Sequence, residues 1–465
     1  MLSKYICITF ISISMLACRK ADFLNTKPDQ SQSVPSSIKD LQALLDNDQV
    51  MNGTGNFGVV PAFGEMGSDN YYVSDDLLAS YVDPLGRNAY RWEKNLYAGE
   101  EIKDWDFPYR SIFYSNEVLE GIKKLNPSED QLPAWNNAKG SALFYRAHML
   151  YQLAQVFAAP YDSSNANNFP GLPLRVAADI NEKIQRASLQ QTYDRITTDL
   201  LESVSLLPAT ALYKTRPSKP AAYALLARVY QTMQLYDKAL LYADSCLQLQ
   251  NTLLDYNSID SNANLPFQRF NTEVIFHSVI ITSDIIIVNA LASVDSNLYN
   301  AYQPGDLRKS IYYVDGNKGG SLASGKIFKG SYDGSAFYFA GLATDEMYLI
   351  RAECEARKGI TLAAMNDLNT LLINRWSSGT FIPLTATNAA DALTKVLRER
   401  RKELIFRATR WTDLRRLNKY PNFAVTLTRL LKGQPYTLPA NDNRYVYPIP
   451  PSVIAFNPSM VQNPR

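Results

Sequence analysis

The sequence predicts a mainly α-helical fold: a tetratricopeptide-like helical-repeat scaffold that carries an irregular loop and β insertion. Three observations predict it. Apolar residues recur at helical spacing over 101–125, 133–158, 188–207, 218–250, 343–375 and 389–418. Two of these stretches match each other in detail. Ala227 and Ala239 stand twelve apart, followed by Ala243 and Cys246; Ala352 and Ala364 stand twelve apart, followed by Leu368 and Leu371 at the same offsets. Small residues at that spacing let paired helices approach and bury their apolar stripes against the next pair. Between 251 and 340 the helical pattern stops. Strand-like runs, Val274-Ile275-Phe276 and Ile285 to Val288, lie among turns such as Asp315-Gly316-Asn317 and Asp333-Gly334.

The chain begins with a processing segment. Lys4 supplies a positive charge, and Tyr5 to Leu16 is an apolar stretch of a dozen residues. Spanning a bilayer takes about 20. The stretch ends in Leu16-Ala17-Cys18, small residues before a cysteine, which is the cleavage and acylation signal of bacterial lipoproteins. Residues 1–17 therefore read as a lipoprotein signal peptide and Cys18 as the lipidated residue. Diacylglycerol plus an N-acyl chain satisfies the two-anchor requirement for stable membrane attachment. Residues 18–36, rich in Ser, Gln, Asp and Pro, read as a lipid-anchored tether. One domain is expected over 37–465, entered through a helix capped by Ser36 or Ser37. Within it, 51–100 reads as a loop-rich region. A weaker relative of the repeat surrounds Ala142, Ala147, Leu150 and Leu153. Cys246 and Cys354 fall in helical patterns and are expected as buried, unpaired thiols.

The chemistry of the chain excludes several classes. Lys plus Arg number 47 and Asp plus Glu 45, so no basic field for nucleic acid exists. The two histidines, His148 and His277, have no partner at metal-ligand spacing and read as packing residues. No Gly-rich phosphate loop and no Gly-x-Ser-x-Gly elbow is present. Asp75 and Asp76 are adjacent carboxylates without a visible partner across a cleft. No enzyme activity, cofactor or metal is expected. The charged run Arg398 to Glu403 reads as i to i+4 pairs on a solvated face. Arg410, Trp411, Asp413, Arg415 and Arg416, which follow, are expected to tie the helix to another element through forked ion pairs and stacking. Tyrosine is abundant, at 29 residues, and suits both cores and ligand platforms.

An ordered series of short motifs spans the chain. Phe23-Leu24 and Pro28 come first, then Trp105, Tyr109, Ile112 and Asn116. Arg146-Ala147, Leu153 and Pro160-Tyr161 follow, then Arg186, Ser188, Tyr193, Ile196, Asp199 and Leu200. Ala221-Ala222 to Tyr230 precedes Tyr348-Leu349 and Ala352-Glu353. The last are Glu399-Arg400, Glu403-Leu404, Arg410-Trp411, Asp413-Leu414 and Arg416, with Tyr447-Pro448-Ile449-Pro450, Asn457-Pro458 and Gln462-Asn463-Pro464 at the end. In this series the sequence resembles the SusD/RagB outer-membrane lipoproteins of Bacteroidetes. It departs from them at Arg407-Ala408, where they often have Glu-Gly, and in carrying Arg19-Lys20-Ala21-Asp22 after the cysteine instead of acidic residues.

The resemblance implies a cell-surface protein that binds nutrients, most often glycans, without altering them. It implies a role as lid of a SusC-like TonB-dependent transporter. Sugar rings stack C–H faces on aromatic planes, and their hydroxyls bond to Asp, Asn and Arg. Family sites draw on the two loop regions, so the candidates are Asp69, Asn70, Tyr71, Tyr72, Trp92 and Asn95 in the first, and Tyr302, Asp306, Arg308, Tyr312 and Tyr313 in the second. The alternative is a lipid-anchored, tetratricopeptide-like scaffold that holds protein partners in the envelope.

Overall fold

The computed structural model describes residues 35–465 except 56–57, 100, 283–286, 288–290 and 318–320. The signal peptide, Cys18, nearly all of the tether and most of the expected strand at Ile285 to Val288 lie outside the described residues. Ser37 caps the first helix, α1 (Ile38–Leu45). Its side chain accepts from the Asp40 amide at 3.2 Å, and Asp40 accepts in return from the Ser37 amide at 3.0 Å.

Nine more helices of eight residues or longer follow among the described residues: α2 (Lys103–Ile122), α3 (Leu132–Phe157), α4 (Leu189–Leu206), α5 (Lys219–Thr232), α6 (Tyr236–Leu249), α7 (Thr344–Arg357), α8 (Thr361–Ile373), α9 (Ala389–Glu403) and α10 (Arg410–Leu417). They form the expected stack. Helix α3 packs between α2 and α4, α5 pairs with α6, α6 meets α7, and α7 pairs with α8 and α9. Helix α3 is buried on every side from Gly140 onward, as a helix surrounded by others is. Ala227, Ala239, Ala352 and Ala364 are all fully buried at the helix contacts. The two repeats also turn alike. Gln234 and Gly359, each seven residues beyond the first alanine, have φ of 61° and 79°. The next amides, Leu235 and Ile360, donate back to Tyr230 and Glu355, both at 2.9 Å. That is one helix-ending motif used twice. Cys246 and Cys354 are buried free thiols.

Two expectations about elements need correction. The stretch 389–418 is broken between α9 and α10, where Phe406 and Ala408 take φ of 54° and 57°. Residues 51–100 contain short helices, Phe63–Gly67, Asp75–Ser80 and Pro84–Tyr90. Ser74 caps the second; Asp83 caps the third, with Pro84 at its first position. The Phe63–Gly67 helix has no cap of its own. Instead Asp104 Oδ1, from α2, accepts the amides of Ala62 and Phe63 at 2.6 and 2.8 Å. Burial raises the Asp104 carboxyl to about 7 despite these two donors.

Ten short strands form five antiparallel pairs among the described residues: β1 (Tyr71–Tyr72), β2 (Pro170–Pro173), β3 (Arg186–Ser188), β4 (Val274–Phe276), β5 (Ser293–Val294), β6 (Tyr313–Asp315), β7 (Lys326–Phe328), β8 (Leu342–Ala343), β9 (Leu427–Leu431) and β10 (Gln434–Leu438). One pairing matters most. Strand β1 from the first loop region pairs with β5 from the second, Tyr72 opposite Ser293. Further bonds join the same regions: the amides of Val59 and Val60 donate to Val279 O, and Ile281 N donates to Val60 O. Two segments 200 residues apart in sequence thus make one surface.

The solvated face expected of the charged run is corrected: Glu399, Arg400, Lys402 and Glu403 are buried, and with Asp413 and Arg416 they tie their helices to the rest inside the protein. Arg308 is fully buried and meets three carboxylates: Asp306 at 2.7 Å, Glu399 at 2.6 Å and Glu403 at 2.8 Å. Arg375 bridges Glu403 and Glu273, Arg407 takes Asp345, and Arg416 joins Asp413 to Glu353. Glu273, Asp345 and Glu403 converge closely enough to hold a cation by spacing alone. Arg375 and Arg407 already supply their counter-charge.

Ala408 leads to a test. An L-residue in the left-handed region costs roughly 1–2 kcal/mol, which glycine avoids. Ala408→Gly is expected to raise the unfolding free energy by about 1 kcal/mol, read from the urea midpoint at constant slope.

Candidate functional site

In β1 the pleat alternates: Tyr71 points into the core and Tyr72 out to solvent, 38% exposed. The hydroxyl of Tyr72 lies over Gly325, where an added Cβ would sit 2.6 Å from it. Gly325 leads directly into β7 and donates its amide to Ser293 Oγ at 3.2 Å. From there the surface falls into an open cleft of about 560 Å³. Its walls include Tyr299, Gln303, Lys309, Ser310, Lys326 and Lys329.

The cleft is polar and its lysines are held. Tyr299 sits in the helix Ser296–Asn300, which Asp295 caps. Lys309 and Lys326 place their ammonium groups 4.7 and 5.2 Å from the centre of the Tyr299 ring. Lys326 also pairs with Asp315 at 2.6 Å, and that hydrogen bond raises its pKa. Lys329 donates to the carbonyls of Ser261 and Ala263, while burial lowers its pKa. The arrangement offers half-buried and exposed tyrosine rings beside hydrogen-bond donors, which suits a polyhydroxylated solute. A larger groove, of about 1190 Å³, runs beside α1 and the start of α3. Its lining has no aromatic ring, so it offers no stacking platform.

Most of the residues proposed from sequence are inside the protein. Tyr71 is buried and donates to Met66 O at 2.7 Å. Trp92, 1% exposed, donates Nε1–H to Gly67 O at 2.9 Å. Both rings, with Tyr90, enclose the Arg429 guanidinium at 5.2, 4.5 and 3.6 Å. Asn70 is buried and donates to Glu65 at 3.1 Å. Tyr302 and Tyr313 are buried and share a 2.8 Å hydroxyl contact, and Tyr302 donates to Lys402 O. Tyr312 is buried against Tyr256, hydroxyl to hydroxyl at 2.8 Å. Asp306 and Arg308 are bound to each other. All eight side chains are buried with protein partners and serve as framework, and two of them, Asp306 and Tyr313, also form part of the cleft wall.

Three candidates keep access. Tyr72 and Asn95 are exposed. Asp69 is partly exposed but engaged: Arg410 grips it at 2.7 and 2.8 Å, and Arg401 lies 3.2 Å away. Burial alone would raise its carboxyl, and the two guanidiniums outweigh that, holding it below the usual carboxylate range. Sequence reasoning missed Tyr299, Gln303, Lys309, Lys326 and Lys329. The one available signal was Asp295 as a helix cap four residues before Tyr299.

The two expected packing histidines are buried. His148 contacts Gln152 at 3.1 Å, and His277 contacts Asp333 at 2.7 Å. Burial lowers the pKa of each, that of His148 to about 3.

A helical-repeat scaffold with a loop-built surface cleft defines the class: a binding protein of the helical-repeat type. Comparison with known proteins makes it specific. A family model described as "Starch-binding associating with outer membrane" matches residues 22–231, and the SusD family model matches residues 342–465. The chain belongs to the SusD/RagB family, whose members are binding proteins associated with the outer membrane. No curated protein matches the sequence. Solved structures share the fold. A SusD superfamily protein from Bacteroides thetaiotaomicron is 22% identical, with a TM-score of 0.72 over 92% of this chain and 100% of that one. A SusD-like carbohydrate binding protein from Bacteroides vulgatus is 19% identical, with a TM-score of 0.67 over 91% and 97%. A laminarin binding SusD-like protein is 18% identical, with a TM-score of 0.66 over 91% and 97%.

Burial separates the aromatic candidates experimentally. Removing a buried large aromatic costs roughly 3–5 kcal/mol. Trp92→Ala and Tyr71→Ala are expected to lower the thermal midpoint by many degrees. Tyr72→Ala is expected to leave it within about a degree or two, since an exposed substitution stays within roughly 0.5 kcal/mol.

Proposed function

We propose that this protein is a cell-surface lipoprotein, held in the outer membrane through acylated Cys18, that captures carbohydrate in the Tyr299 cleft. It acts as the lid of a SusC-like TonB-dependent importer and does no chemistry on the ligand. The observation that carries the reading is the cleft: the Tyr299 ring beside Lys309, Lys326 and Gln303, with the exposed Tyr72 at Gly325, next to Lys326, on a scaffold of a family described as starch-binding. The lipobox ending at Cys18 supports the anchor. Among the described residues no helix is long and apolar enough to cross a membrane. The bound glycan would stack a ring face on tyrosine and turn its hydroxyls toward the lysine and amide donors.

Affinity electrophoresis of the mature protein through gels carrying individual polysaccharides gives the direct test, followed by calorimetry on any polysaccharide that retards it. Tyr299→Ala and Tyr72→Ala are each expected to weaken binding roughly tenfold or more, about 1.4 kcal/mol. The polysaccharide should be recovered uncleaved. Wild-type affinity in both variants would remove the cleft from the reading.

The anchor has its own test. In a cell envelope fractionation, Cys18→Ser protein is expected to leave the outer-membrane fraction. Wild-type protein should stay there and label with a palmitate analogue. Membrane retention of the serine variant would refute acylation at this cysteine.

A further inference from the structure

A second cavity, of about 310 Å³, shares no lining residue with the Tyr299 cleft. It lies where the C-terminal end of α10 meets the segments after α3 and before the chain terminus. Arg415, Asn418, Lys419 and Tyr445 line it on one side, and Phe169 and Pro464 on another. Its volume is at the lower end of ligand pockets, which begin near 300 Å³, and suits a molecule the size of one sugar or one amino-acid residue.

The polar groups on that wall are unfinished. Arg415, Asn418 and Tyr445 are buried, with 4%, 3% and 2% exposure. Arg415 Nε lacks a hydrogen-bond partner, and Asn418 Nδ2 and the Tyr445 hydroxyl have no side-chain partner but each other. Buried polar groups in native proteins are rarely left so, and here three of them line one cavity. Each can donate. Arg415 differs in kind from three other arginines of α9 and α10. Arg400, Arg410 and Arg416 all meet carboxylates. Among the described residues Arg415 meets only the carbonyls of Ala154, Gln155 and Ala158 at the end of α3. Burial without a counter-ion pushes its pKa down to about 10. The acids in the lining are engaged elsewhere: Asp442 is bound bidentately by Arg444, and Asp162 is held by Ser164 and lies 3.7 Å from Lys419. Burial also lowers the pKa of Lys419. One cation without a carboxylate partner, three donor groups with unused capacity and an apolar opposite wall describe a receptor for a small anion with acceptor oxygens.

We propose that this cavity is a second binding site, specific for a small organic carboxylate, whose oxygens take the donor groups of Arg415, Asn418 and Tyr445. A sugar acid and the C-terminal end of a peptide share that chemistry. The proposal stands apart from glycan capture in the Tyr299 cleft and survives its failure.

Calorimetry of the mature protein with D-glucuronate, N-acetyl-L-alanine and D-glucose separates the cases. Saturable binding of a carboxylate, with D-glucose silent, is expected; which carboxylate binds tells the sugar acid from the peptide end. Tyr445→Phe removes only the hydroxyl and keeps the ring on Trp411, its neighbour at 4.7 Å. Asn418→Asp keeps the acceptor for the Val425 amide and puts a negative charge beside Arg415. Both variants should fold as the wild type does, by circular dichroism and thermal midpoint, and bind the carboxylate at least roughly tenfold more weakly. Tyr299→Ala should bind it unchanged, which separates the two sites. Binding of D-glucose equal to D-glucuronate, wild-type affinity in both variants, or no binding of either carboxylate at millimolar concentration would each overturn the proposal and leave a water-filled cavity.

Discussion

Buried arginine–carboxylate pairing fixes the second loop region, and with it the Tyr299 cleft, to α9. Taking a guanidinium out of water is expensive, and the cost is recovered only when each donor finds an acceptor in good geometry. Arg308 shows the requirement met: three carboxylates surround it, two from α9 and one from its own turn. Arg375 then links Glu403 of α9 to Glu273, just before β4. A shift of the loop region relative to α9 would strand several charges at once. That makes the second loop region, irregular in backbone, a fixed body. Lys309 follows Arg308 in sequence, and Tyr299 stands on a neighbouring turn, so the cleft inherits its placement from the ions beneath it.

The same logic explains what the sequence disclosed. The motif residues turn out to be one another's partners. Asn116 and Asp199 both accept from Arg146; Glu353 and Asp413 both accept from Arg416; Asp413 also accepts from Arg400; Asn463 accepts from Arg186. None of them lines the Tyr299 cleft. The motif series therefore describes how helices are bolted together, and it reads well because ion pairs demand particular residue types at particular places. The alanine pairs were legible for a similar reason: only a small side chain permits the helix approach at Ala227 and Ala352.

Ligand contacts were poorly legible because a tyrosine has the same letter inside and outside. The interior of the loop region is built of tyrosines whose hydroxyls satisfy each other: Tyr312 and Tyr332 both meet Tyr256, Tyr332 donates to Glu273, and Tyr302 meets Tyr313. Each ring fills volume while its polar tip finds a partner, which a phenylalanine core would not require. Their density marks the region that builds the Tyr299 cleft, and most of the tyrosines it singles out pack inside. Telling Tyr71 from Tyr72 required knowing that β1 pairs with β5, a contact between residues more than 200 apart that no local pattern carries. The short helices within 51–100 were different. Ser74 and Asp83-Pro84 signalled them, and the abundance of Gly, Asn and Asp around them masked the signal.

Backbone strain and site placement meet at the break between α9 and α10. Phe406 and Ala408 reverse the chain in left-handed conformations, at the point where the resemblance leads one to expect glycine. The strain is held by contacts on both sides. Phe406 stacks on Tyr338 at 5.0 Å, Arg407 grips Asp345, and the Ala408 amide donates to Glu65. Glu65 in turn accepts from Asn70, two residues before Tyr72. The reversal thus connects the ion lattice of α9 to the strand that sets Tyr72 on the surface. It also turns α10 so that Arg410 reaches Asp69, on the cleft side, while Arg415 faces the second cavity. One eight-residue helix carries both ends of this division: its first arginine is neutralised by a carboxylate beneath the exposed tyrosine, and its sixth residue lacks such a partner where a small anion has room to supply one.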